Sequence, residues 1–137
     1  MRWVVDCSFT AALFLPDEYS TKVRFFFEKL KDDDNLWVPG LWWYELTNVL
    51  VISTRRNRLT HMDTEKILSL INQIDFKTDN LADNLYSREI YEIAQLYDLS
   101  GYDAAYLELA IRKNCNLASF DKKLVESAQK AGVKTFR

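Results

Sequence analysis

Three glycines and two prolines in 137 residues leave little room for linkers. No internal repeat and no low-complexity tract interrupts the chain. The two cysteines, Cys7 and Cys115, fit neither a zinc spacing nor a disulfide framework. That suits a reducing compartment, where a buried thiol serves as a small apolar residue. His61 is the single histidine and stands at the start of an expected helix, which excludes a histidine-pair mechanism within one chain. No apolar run approaches the roughly 20 residues that span a bilayer. Residues 1–6 meet a charge too soon for a signal peptide, so a cytoplasmic, soluble protein is expected. Basic charge is also scarce: 18 Lys and Arg face 20 Asp and Glu, a formal net charge of −2. A passive nucleic-acid binder held by phosphate contacts is normally basic, so any nucleic-acid affinity has to come from local basic residues or from bound metal.

What is present is apolar and aromatic. Hydrophobic residues make up 48% and aromatics 14% of the chain, which excludes disorder and is enough for one core. The length predicts a single domain over 1–137. Val4-Val5 reads as a short buried strand, and 8–15 as a helix stopped at Pro16. Residues 18–31 repeat Val23, Phe26, Phe27 and Leu30 at helical spacing. A strand at 36–38 follows, and Pro39-Gly40 opens a long helix to about Arg56. Thr60 and Asp63 form the pattern of a capping box for a helix to Ile74. Residues 76–78 read as a weak edge strand, 85–97 and 102–113 as helices, and 116–119 as a strand. A last helix over 121–130 closes at Gly132, before a terminal strand at 133–136. Strands alternating with helices predict an α/β fold, a parallel sheet of four to five short strands with helices on both faces. Ligands of such sheets bind beyond the carboxyl ends of the strands.

Four carboxylates fall at ends of these elements. Asp6 ends the first strand, Asp121 follows the strand at 116–119, Asp103 opens a helix, and Glu45 lies one turn into the long helix. Each of the three aspartates has a structural alternative. Asp6 and Asp121 can cap the helices that follow them, and Asp103 can complete a capping box begun by Ser100. Glu45 is harder to explain structurally, because it stands among Leu41, Trp42, Trp43, Leu46, Val49 and Leu50. Clustered carboxylates repel one another unless a cation joins them, and hard ions such as Mg²⁺ and Mn²⁺ prefer oxygen ligands. One or two such ions can activate water for phosphoryl displacement without a histidine.

In order along the chain stand Val-Val-Asp6-Cys-Ser8, Tyr-Glu45-Leu-Thr-Asn48-Val-Leu, Tyr-Asp103-Ala-Ala-Tyr-Leu-Glu-Leu-Ala and Leu-Ala-Ser119-Phe-Asp121. Together they resemble the PIN-domain family, and within it the VapC-type toxins of toxin–antitoxin pairs. The resemblance spans the whole chain. It implies a PIN-like fold and a Mg²⁺- or Mn²⁺-dependent endoribonuclease in which Asp6, Glu45, Asp103 and Asp121 form an acidic quartet. Asp121 is the member least expected to touch metal. Ser8, Asn48 and Ser119 match supporting polar positions, with Asn48 on the face of Glu45 and able to orient it or its water. Phe120 departs from the small residue often found before the fourth acid. The resemblance also implies a homodimer and a cognate antitoxin whose C-terminal segment fills the active-site groove, with the helices at 23–30 and 41–50 as candidate walls.

Lys122 and Lys123 sit at a helix N-terminus, where cations are disfavoured, and are candidate RNA contacts with Arg55 and Arg56. Macrodipole compensation is the structural alternative for Arg55, Arg56, Arg112 and Lys113. Trp42, Trp43 and Tyr44 point about 100° apart on a helix, so one core face cannot take all three, and a protein interface is expected there. Two other functions compete. A phosphatase with an Asp nucleophile wants Asp-x-Asp after the first strand, where this chain has Ser8. A non-catalytic PIN-like binding module would tolerate a missing acid, and none is missing.

Overall fold

Val4 and Val5 are both fully buried, and they pack into different clusters on opposite faces of one strand. That strand, β1 (Arg2–Val5), is the inner strand around which the fold is arranged. In the computed structural model, which describes residues 1–15 and 19–136, it pairs in parallel with β2 (Asn35–Pro39) and with β4 (Asn116–Ala118). The edge strand β3 (Phe76–Asp79) pairs in parallel with β2, giving the order β3-β2-β1-β4. Burial on both faces is what parallel strands require, and it explains their continuous apolar runs.

Seven helices flank this sheet among the described residues: α1 (Cys7–Ala11), α2 (Ser20–Glu28), α3 (Leu41–Arg55), α4 (His61–Gln73), α5 (Asn84–Tyr97), α6 (Gly101–Arg112) and α7 (Lys122–Lys130). Trp42, Leu46 and Leu50 of α3, Ile67 of α4, Leu107 of α6 and Leu124 of α7 pack on the face carrying Val4 and Leu117. Phe9 of α1 and Val23 and Phe26 of α2 pack on the face carrying Val5 and Ala118. Val23 and Phe26 are therefore core side chains and not walls of an open groove.

The capping box of α4 forms as expected: the Asp63 N–H donates to Thr60 Oγ1 at 3.0 Å and the Thr60 N–H to Asp63 Oδ2 at 2.9 Å. Two expectations change. The first helix ends at Ala11, because Leu13 and Phe14 switch to tighter bonds to Thr10 and Ala11. Its expected stop at Pro16, and the start of the next helix at Glu18, lie outside the described residues. The terminal strand shrinks to a single parallel bridge, Leu117 with Thr135. Leu117 takes a bond from the Phe136 N–H and gives one to the Lys134 carbonyl, and the three-residue β4 offers no more.

Candidate active site

The strand order places a reversal between β1 and β4, since β2 and β3 extend to one side of β1 and β4 lies on the other. Open parallel sheets bind ligands at such a point, beyond the strand ends. Asp6 follows β1 there, and Ser119 and Asp121 follow β4. The Asp6 N–H donates to the Ala118 carbonyl at 3.0 Å, which ties the two strand ends together.

Hydroxyls link the acids. Ser119 Oγ donates to Asp6 Oδ2 at 2.8 Å, and Ser8 Oγ donates to the same oxygen at 3.1 Å. Ser119 Oγ in turn accepts the Asp121 N–H at 3.0 Å. Asp121 Oδ1 accepts the Leu124 N–H at 2.9 Å, so Asp121 does cap α7, as its structural alternative held. Phe120 does not displace it. The ring turns away to stack between Phe9 and Tyr19, with centroids 4.9 and 4.1 Å apart. Asp103 sits in the first turn of α6, and its N–H donates to Ser100 Oγ at 3.1 Å.

Glu45 is half-buried on α3, and its Oε1 accepts the phenol of Tyr106 at 2.7 Å. Asn48 is exposed and makes no side-chain hydrogen bond among the described residues, whereas the Tyr106 phenol bonds Glu45 directly. Tyr106 was missed from the sequence, although it lies three residues after Asp103 and thus on the same helix face.

The electrostatics bring the four acids together. Burial raises the Asp6 pKa, its serine hydrogen bonds oppose the rise, and the Asp121 charge adds to it. Glu45 is raised by burial, lowered by the Tyr106 bond, and raised again by the charges of Asp6 and Asp103. Asp103 is raised by burial and by the charges of Asp121 and Asp6, while Ser100 and Lys123 pull it down. Asp6, Glu45 and Asp103 therefore each feel at least one other acid. Cys7, buried beside them, has its thiol pushed up to about 12 by burial and by Glu45 and Asp6, so it remains an uncharged apolar filler.

Among the described residues, no three acidic, histidine or cysteine side chains stand as a ready-made ligand cluster. The donor set still fits a hard divalent cation. It offers oxygen alone, on carboxylates whose mutual repulsion and desolvation a cation relieves.

The basic candidates separate. Lys123 pairs with Asp98 at 3.1 Å on the surface, and its charge reaches Asp103. Lys122 is exposed beside it. Arg55 and Arg56 lie ten and eleven residues after Glu45, about 15 Å along the helix axis at 1.5 Å per residue. Arg112 holds Glu108 and Asp79 instead of merely complementing a helix end, with contacts of 2.6 Å to each. Of the three consecutive aromatics, Trp42 is fully buried, Trp43 Nε1 donates to Thr78 Oγ1 at 2.8 Å, and Tyr44 is 81% exposed. Trp43, Tyr44 and Tyr102 line a groove of about 780 Å³, whose lining includes none of the four acids.

The PIN domain family model matches residues 3–130. The chain belongs to the PIN domain family. Ribonuclease VapC3 of Pyrobaculum aerophilum is 28% identical over 128 residues, covering 92% of this chain and 94% of that protein. The crystal structure of Mycobacterium tuberculosis VapC20, a sarcin-ricin loop cleaving toxin, shares the fold with a TM-score of 0.73 at 17% identity, covering 98% of both chains. VapBC2 from Rickettsia felis, bound to a DNA fragment from its promoter, gives 0.70 at 11% identity, over 99% of this chain and 98% of that one. This PIN domain shares with them a parallel α/β sheet flanked by helices. No helix among its described residues is long and apolar enough to cross a membrane.

Proposed function

We propose that this PIN domain, a single domain over 1–137, is a VapC-type endoribonuclease toxin that works with Mg²⁺ or Mn²⁺ on RNA phosphodiester bonds. The observation that carries the reading is the placement of Asp6 and Asp121 at the sheet's reversal point, with the charges of Asp6, Asp103 and Asp121 reaching neighbouring acids. The likeness to Ribonuclease VapC3 supports the activity, and the likeness to a VapBC assembly supports an antitoxin partner. Cytoplasmic placement and a homodimer complete the reading.

Asp6, Glu45 and Asp103 would hold the cation. Asp121 has one carboxylate oxygen committed to capping α7, and its backbone N–H, not its carboxylate, holds the Ser119 hydroxyl that bonds Asp6. A bound divalent ion supplies the positive charge that makes water nucleophilic near neutral pH and offsets charge on the phosphate. Around it, the chain's own residues orient the acids and present cations to the strand. Lys123 is held only by an exposed pair, which is worth little and exchanges readily for a phosphate. Lys122 adds a second charge at the same helix start, and Arg55 and Arg56 at the far end of α3 would offer a separate basic site.

The purified protein is expected to cleave RNA with Mg²⁺ or Mn²⁺ and to stop in EDTA. Asp6→Asn and Asp103→Asn should each lower cleavage on the order of 100-fold or more while remaining folded, the scale of losing a group that stabilises transition-state charge. Undiminished cleavage by both variants would sink the mechanism. A second reading, a binding module without turnover, would be favoured by a missing acid, and none of Asp6, Glu45, Asp103 and Asp121 is missing. That module would hold RNA or protein and show no metal-dependent cleavage.

A further inference from the structure

We propose that Tyr106 is the positioning residue for Glu45: its phenol holds the carboxylate by Oε1 and leaves Oε2 unbonded, so that Glu45 could join Asp6 and Asp103 in holding a divalent cation, an inference that rests on the metal-dependent reading above. Glu45 is on α3 and Tyr106 on α6, 61 residues apart, so the 2.7 Å bond is a direct cross-link between two helices that each carry an acid. Glu45 Oε2 makes no hydrogen bond among the described residues, and Asn48 does not reach the carboxylate.

Packing alone does not require this hydroxyl. Tyr106 is 1% exposed among Leu46, Leu107 and Leu109, a setting where phenylalanine would bury the same ring. A glutamate on a surface-facing turn has several rotamers to lose, whereas a tyrosine ring locked in a core has almost none. Tying one oxygen to that ring is how a ligand carboxylate is held ready. Outer groups of this kind typically change metal affinity or activity 10–100-fold when removed.

The test uses the full chain with Mn²⁺ as the probe, counted by the loss of the free-ion EPR signal on binding. Wild type, Tyr106→Phe and Asp6→Asn are compared, and each is melted in EDTA. Tyr106→Phe is expected to bind Mn²⁺ about 10-fold more weakly or worse while melting as wild type does. Its Mn²⁺ requirement for RNA cleavage should rise by the same factor, with the rate recovering at saturating Mn²⁺. An Ile71→Val variant, altered in the same core away from the acids, controls for a general loss of stability and should keep wild-type affinity. If it weakens Mn²⁺ binding as much as Tyr106→Phe does, the effect is only structural and the assignment is overturned. Wild-type Mn²⁺ affinity in Tyr106→Phe, with loss in Asp6→Asn, overturns the role of Tyr106 and leaves the cation site standing. No Mn²⁺ binding by wild type overturns both.

Discussion

Ser119 shows how a single residue can serve two acids. Its hydroxyl donates to Asp6 and accepts from the backbone of Asp121, and it is 2% exposed, so no solvent replaces either bond. Ser119→Ala removes one of the two hydroxyls on Asp6 Oδ2 and the acceptor of the Asp121 N–H. A loss of about 1–3 kcal/mol in unfolding free energy is expected from chemical denaturation, together with weaker cleavage. Asp6 carries the opposite sign. Its pKa is raised in the folded state by burial, so the native protein holds that proton more tightly than the unfolded chain. The stability this contributes is complete below the unfolded value of about 4 and is lost as pH rises through the raised folded value. Without metal, Asp6→Asn should therefore melt higher than wild type at neutral pH, and the gap should close as pH falls toward 4. A constant gap across that range would contradict the charge explanation.

At the scale of elements, α6 is the organising helix. It presents Asp103 and Tyr106 to the site on one face, and at its other end Arg112 grips Glu108 of its own last turns and Asp79 at the end of β3. Glu108 is 6% exposed and depends on that guanidinium, whose fork geometry lets it serve two carboxylates at once. Arg112→Met would strand Glu108. About 1–3 kcal/mol of destabilisation is expected, below the figure for a fully buried pair because Arg112 is partly in solvent. A urea titration measures it, and because the clasp lies away from the acids, cleavage at low temperature should change little. Sequence alone had suggested only that Arg112 complements a helix end. Asp79 lies 33 residues earlier, and nothing local marks the two as partners.

At the scale of the whole molecule, the strand order decides where chemistry can occur. Asp6 and Asp121 are 115 positions apart, yet they meet because β1 and β4 are neighbours at the point where the sheet reverses direction. The fold thus brings Asp6, Glu45 and Asp103 within electrostatic reach of one another, and a divalent ion bound there should relieve their repulsion. Mn²⁺ or Mg²⁺ is expected to raise the melting temperature of wild type, as any ligand that binds only the native state does, and to raise that of Asp103→Asn much less. Equal shifts in both would show that the ion binds elsewhere.

What the sequence by itself determined is whatever depends on near neighbours in the chain. The Thr60–Asp63 box, the helical spacing of Val23 and Phe26, the buried pair Val4-Val5 and the division of Trp42, Trp43 and Tyr44 among different faces are all set within a turn or two. The ordered motifs also carried the family. The tertiary structure decided what long-range contact alone can set. It gave Glu45 the phenol of Tyr106 as its hydrogen-bond partner and reduced the last strand to one bridge. It gave Arg112 to an ion-pair clasp and placed Lys123, not Arg55, beside Asp103. Local periodicity fixes which face a side chain is on, but a hydrogen bond of 2.7 Å between residues 61 apart exists only once two helices have packed.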